Sequence, residues 1–160
     1  MTNDPSSAPS THIQGVDPQG RPIQIEREEF RANVLPGLIK ASESDPERLT
    51  AVIMQGLREG FADDLIAAAN RLTVIDKNNM ERALTVLAVV QRDSGELDLA
   101  ESTLQELLQR HPGSPAGYVG LGMLKEKQGD LDGCEALLMQ ALESNANHPD
   151  AVHALSLIHI

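Results

Sequence analysis

Apolar residues recur at three- and four-residue intervals along most of the chain, and between Glu81 and His148 the whole pattern repeats. Two lines of 34 residues, starting at Glu81 and Pro115, align without a gap: Leu87 falls on Leu121, Gly95 on Gly129, Leu97 on Leu131, Asp98 on Asp132, Glu101 on Glu135, Leu104 on Leu138 and Leu108 on Leu142. A fixed period of this size marks a stacked repeat. In the first line, Leu84, Leu87, Ala88 and Val90/Gln91 share one side of a helix over roughly Glu81 to Asp93. Ser94-Gly95-Glu96 breaks it, since glycine supplies the left-handed backbone that ends a helix. A second helix follows over roughly Glu96 to Arg110, with Leu97, Ala100, Thr103/Leu104, Leu107 and Leu108 on its apolar stripe. His111-Pro112-Gly113-Ser114 stops it. The second line repeats this layout through Tyr118, Leu121, Gly122 and Leu124, the turn Gln128-Gly129-Asp130, and then Leu131, Cys134, Leu137/Leu138, Ala141 and Leu142.

The small residues predict where helices meet. Ala88 and Gly122 are expected where the two helices of a pair approach closely, with Ala100 and Cys134 opposite them. A large side chain at any of these positions would push the pair apart. Each line is therefore a helical hairpin with one apolar stripe for its mate and another for the next hairpin.

These residues resemble the tetratricopeptide repeat (TPR). That family's pattern is an aromatic or large apolar residue, Leu-Gly/Ala, a Gly-Asp/Asn-type turn, a small residue and a closing Pro. Here it reads Leu84, Leu87-Ala88, Gly95-Glu96, Ala100 and Pro112, then Tyr118, Leu121-Gly122, Gly129-Asp130 and Cys134, with Ala146 in place of the second closing Pro. The resemblance implies an all-α fold, a right-handed superhelical α-solenoid of helical hairpins. The first helix of each pair would line a concave groove. By resemblance the groove residues are Arg82, Thr85, Val89, Arg92 and Asp93 in the first line, and Ala116, Val119, Met123, Glu126 and Lys127 in the second. Such a surface, apolar at its centre and charged at its rim, suits an extended peptide or an amphipathic helix from a protein partner. Relatives that hold chaperone C-terminal carboxylates carry Lys and Asn at groove sites. Thr85 and Val89 stand there instead, so that clamp is missing.

Upstream the pattern changes. His12–Val16 and Pro22–Ile25 are short β-prone pieces around Asp17-Pro18-Gln19-Gly20, a Pro-then-Gly turn signal, so residues 12–25 are expected to form a β-hairpin or extended arm. An isolated hairpin is marginal, so packing on the helices is expected; a docking arm is the functional alternative. Residues 26–80 read as N-terminal helices and a degenerate capping repeat. Phe30, Val34, Leu35, Leu38 and Ile39 share a face over Glu26 to Ala41, with Pro36 kinking or dividing the helix near Val34–Leu35. Asp45 then Pro46 is a strong start signal for a helix running to Gly60. A further helix is expected from about Phe61 to Val74, ended by Asp76-Lys77-Asn78-Asn79.

Composition narrows the function. The formal charge is −11, with 24 acidic against 13 basic residues. Nucleic acid and anionic membranes need clustered Lys and Arg, so neither is expected as a partner. Residues 1–11 are polar and rich in Ser and Pro, and are expected to be a disordered tail rather than a signal peptide. With no apolar run of membrane-spanning length and a single cysteine, a cytoplasmic location is expected. No metal-ligand spacing, phosphate loop or nucleophile triad is present, so neither cofactor nor catalysis is expected. His111 and His148 fall at or just after helix ends, where an imidazolium favours the dipole. The acidic pairs Asp63-Asp64 and Asp130/Asp132 fall near helix starts, where they cap amides. Cys134, in a small-residue slot, is expected to be a buried, inert thiol.

Pro149 opens a third line, with Val152 in register with Tyr118 and Leu84, so 149–160 reads as the start of a further repeat. Leu155 to Ile160, Leu-Ser-Leu-Ile-His-Ile, can be translated codon for codon from a transposon-end sequencing adapter. The expectation is that 155–160 is adapter-derived and that the natural reading frame continues; a stop codon directly after Ile160 in clean genomic DNA would remove it. The first functional reading is a protein-interaction scaffold. A second is the N-terminal recruitment module of a longer enzyme, which downstream genomic sequence would test. A third is self-association, which light scattering would test.

Overall fold

The 34-residue period is written into the backbone hydrogen bonds. At Gly95, which has φ 86°, the Glu96 N–H donates to the Gln91 carbonyl (2.8 Å) and the Gly95 N–H to that of Arg92 (3.1 Å). At Gly129, φ 80°, Asp130 donates to Lys125 (2.9 Å) and Gly129 to Glu126 (2.9 Å). This pair of bonds caps a helix whose next residue must turn left-handed, and only glycine adopts that backbone without strain. The same motif stands at Gly60, φ 80°, where Phe61 donates to Gly56 (2.9 Å) and Gly60 to Leu57 (3.0 Å). Gly60 precedes Gly95 by 35 residues, one more than the next interval.

The structure is a computed structural model and describes residues 10–144 and 149–158. The expectations for the tail at residues 1–9, for Ala146 and His148, and for residues 159–160 lie outside them. A two-stranded antiparallel hairpin, β1 (His12–Val16) and β2 (Pro22–Glu26), opens the chain, with Ile13 opposite Ile25. Then come α1 (Arg27–Glu29), a π-helical turn (Phe30–Val34), α2 (Leu35–Ser42), α3 (Pro46–Arg58) and α4 (Ile66–Ile75). The repeats follow as α5 (Met80–Asp93), α6 (Leu97–Arg110), α7 (Pro115–Lys127) and α8 (Leu131–Ser144), and then α9 (Pro149–Ile158). The result is a TPR-like helical solenoid carrying an N-terminal hairpin.

The hairpin docks on the helices. Asp17 holds its turn, accepting from the Gln19 and Arg21 backbone N–H groups (2.9 Å each) and from Arg21 Nε (2.6 Å). The Arg21 backbone bond is the main cause that holds the Asp17 carboxyl below the usual range. Ile13 is buried in one apolar cluster with Phe30, Leu35, Phe61 and Leu65. The Phe30 and Phe61 rings stack at 6.1 Å, and the Arg27 guanidinium lies 4.7 Å from the Phe61 centroid.

Pro36 has no N–H to donate and crowds the carbonyl one turn back. The chain answers with the π turn rather than a break: the Leu35 N–H reaches back five residues to the Phe30 carbonyl. Asp45 caps α3 as its sequence signals, accepting from the Glu47 and Arg48 N–H groups (3.1 Å each). The expected helix from Phe61 begins instead as a 3-10 turn, Ala62–Asp64, ahead of α4. That turn also corrects the reading of the acidic pair there: Asp64 binds Arg31 Nε at 2.7 Å and so ties α4's entry to the π turn. Asp130 does cap, accepting from the Gly133 N–H at 2.9 Å. His111 ends α6 with its backbone N–H, donated to the Leu107 carbonyl at 2.8 Å.

Helix pairs close on small residues. A Cβ on Gly122 would lie 3.5 Å from the Cys134 carbonyl oxygen and 3.2 Å from Leu138, so α7 and α8 meet almost backbone to backbone. Cys134, Leu138 and Ala141 pack there with Val119 and Leu155, and Leu155 stands in register with Leu121 and Leu87. Within α5 and α6, Ala88 and Ala100 are buried, and the Thr103 hydroxyl donates to Gln91 Oε1 at 2.7 Å. That bond satisfies a polar pair that would otherwise cost about 1–3 kcal/mol to bury. Among the described residues no helix is long and apolar enough to cross a membrane.

Candidate partner-binding site

A cavity of about 280 Å³ opens between α5 and α7. Thr85, Ala88, Val89 and Arg92 form one wall and Ala116, Val119, Gly120 and Met123 the other, with Leu104 of α6 as the floor. Helix periodicity explains the selection, because residues three and four apart share a face.

The cavity exists because bulk is missing at particular repeat positions. Counted from the turn glycines, Ala88 corresponds to Ile53, Ala116 to Arg82, and Gly120 to Val86. Between α3 and α5 the larger set is present: Ile53 and Val86 are buried in the apolar cluster that fills this gap. Leu104 and Ala69 also correspond, so Gly120 faces a leucine where Val86 has an alanine at the matching place. A Cβ on Gly120 would come within 2.6 Å of Leu104 Cδ2. A side chain at position 120 would have to displace the end of Leu104, and the glycine leaves space beside it.

The cavity's polar groups are few and mostly engaged. The Thr85 hydroxyl donates to the Glu81 carbonyl at 2.7 Å. Arg92 donates from Nε to Asp93 (3.0 Å) and from Nη1 to the Met123 thioether (3.1 Å), a weak acceptor.

Six of the expected groove residues meet here: Thr85, Val89, Arg92, Ala116, Val119 and Met123. Four do not line the cavity. Arg82 is held by Asp76 (2.7 Å) and Glu47 (2.5 Å), joining α5 to the ends of α4 and α3. The hydrogen bonds to Glu47 and then Asp76 raise its pKa further. Asp93 serves as the partner of Arg92, and Glu126 and Lys127 lie exposed near the end of α7. The repeat reading missed Ala88, Leu104 and Gly120. One part of their signal was available: Gly120 stands where the first line has the larger Val86. No group of three or more His, Cys, Asp or Glu placed to hold a metal occurs among the described residues.

Residues 91–158 match the family model described as tetratricopeptide repeat. No curated protein sequence matches the chain. Among solved structures, the Yersinia enterocolitica type III secretion translocator chaperone SycD is 20% identical, with 80% of this chain and 98% of that one covered and a TM-score of 0.63. MamA is 16% identical, with 86% and 85% covered and a TM-score of 0.59. PcrH, solved in complex with the chaperone binding region of PopB, is 19% identical, with 71% and 91% covered and a TM-score of 0.58. At these identities the likeness is one of fold. The recurring glycine-capped turns and close-packed small residues agree with the family-model match, which places a tetratricopeptide repeat segment at residues 91–158 of this chain.

Proposed function

We propose that the chain is a protein-interaction scaffold and that the cavity between α5 and α7 receives an apolar side chain of a protein partner. The observation that carries this reading is a hollow walled by Ala88, Val89, Val119 and Met123, with Arg92 at its edge. Removing apolar surface from water is worth about 25 cal/mol per Å², so such a hollow favours a hydrophobic anchor. The −11 charge argues for a protein rather than a nucleic-acid ligand. PcrH, of the same fold, holds a region of PopB.

The test pans a displayed random-peptide library on the purified chain and measures the enriched peptides against two variants. Val89→Arg and Met123→Glu should each weaken binding at least about tenfold while circular dichroism shows unchanged helicity. Enriched peptides that bind both variants as tightly as the parent would exclude this cavity as the site.

A further inference from the structure

Resting in part on that reading, we propose that Met123 is a site of reversible oxidation, whose sulfoxide, formed by a peroxide and held by Arg92, closes the α5–α7 cavity to apolar anchors.

The sequence holds five methionines, and four of them are among the described residues. Met54 and Met139 lie on the surface, 40% and 49% exposed. Met80 packs against two apolar clusters. Among these four, Met123 alone accepts a hydrogen bond at its sulfur, from Arg92 Nη1 at 3.1 Å, and it borders an open cavity. The side chain is half-buried, and the neighbouring Ala116 and Gly120 leave room for a peroxide to approach. The guanidinium is already fixed, because its Nε donates to Asp93 at 3.0 Å. A thioether sulfur is a weak acceptor. A sulfoxide oxygen is a stronger one, so the same N–H gains a better partner once Met123 is oxidised.

The step is an oxygen transfer. A sulfur lone pair attacks one peroxide oxygen and the O–O bond breaks. The proton on the transferred oxygen passes to the leaving one, which departs as water or an alcohol. Sulfur gives up two electrons and the peroxide takes them. Arg92 Nη1 lies against one of the two sulfur lone pairs, so attack uses the other and one sulfoxide epimer results. Thiols acting through a sulfoxide reductase reverse the step: two thiols form a disulfide and the oxygen leaves as water. Cys134 is buried, so those thiols come from another molecule. Oxidation turns a flexible apolar wall polar. An apolar anchor seated against it would bury the new S–O dipole and the guanidinium away from water, which is unfavourable.

The test applies dilute hydrogen peroxide to the Met54→Leu/Met139→Leu chain, in which the two surface sulfurs are gone. Proteolysis and mass spectrometry then locate the added oxygen, and chromatography separates the two epimeric peptides. Met123 should oxidise ahead of Met80, with one epimer in at least about threefold excess. Arg92→Leu in the same background should bring the epimers toward equal amounts. The peptides enriched on the parent chain should bind the oxidised chain at least about fivefold more weakly, with unchanged helicity by circular dichroism. Sulfoxide reductase with dithiothreitol should restore their affinity. The inference is overturned if Met123 oxidises no faster than Met80, if the epimer ratio is the same with and without Arg92, or if oxidation unfolds the chain. If Val89→Arg and Met123→Glu weaken the peptides but the sulfoxide does not, the cavity reading stands and the inference falls. If neither variant weakens them, the cavity reading and its closure fall together, and the epimer ratio still decides whether Arg92 governs oxidation at Met123.

Discussion

Single side chains carry much of the logic here, and Cys134 is the plainest. Its slot opposite Gly122 admits a small residue because the helices nearly touch there. Burial raises the thiol pKa, and the charges of Glu126 and Asp130 add to the effect. The nucleophile is the thiolate, so Cys134 should resist iodoacetamide at pH 8 in the native state and react promptly in urea. Equal rates under both conditions, followed by mass spectrometry, would contradict the buried placement. The Gly122–Cys134 contact was legible in sequence because it depends on neighbours within one hairpin. The role of Arg82 was not. Its partners Glu47 and Asp76 lie on other segments, 35 and six residues away, and only the placement of α3 against α5 unites them. A groove assignment made one helix at a time could not anticipate that bridge.

At the level of elements, the glycine turns decide where helices stop. Gly129 holds φ at 80°, so Gly129→Ala should cost about 1 kcal/mol or more through left-handed strain. Gly37 offers the opposite case. It lies within α2, with nothing within 4 Å of an added Cβ. Gly37→Ala should therefore stabilise by about 0.5–1 kcal/mol. Urea midpoints for the two variants should move in opposite directions; a shared sign would show that backbone conformation is not the controlling variable. Helix ends at Asp45, Gly60, Gly95 and Gly129 were readable because capping chemistry is local. The π turn before Pro36 and the 3-10 entry to α4 were not. Both are adjustments of hydrogen-bond register forced by neighbours, and apolar spacing alone does not distinguish them from an ordinary helix.

For the whole molecule, the N-terminal hairpin is part of the same core as the helices. Ile13 is 3% exposed and packs with Phe30, Leu35 and Phe61. Ile13→Ala should lower global stability by about 2–4 kcal/mol, with fluorescence-free probes such as circular dichroism reporting one cooperative transition. An unchanged midpoint would make the hairpin an independent appendage. The solenoid was legible from its period. The position of its hollow required comparing unequal residues at equal repeat positions, where Ile53, Val86 and Ala69 stand against Ala88, Gly120 and Leu104. Bulk there is traded between facing helices: valine with alanine in one gap, glycine with leucine in the next. A lineage that exchanged these choices would shift its hollow sideways by one hairpin while keeping nearly the same amount of matter in its interior. The hollow in such a coil can thus wander along its length in small mutational steps, with the fold left almost undisturbed.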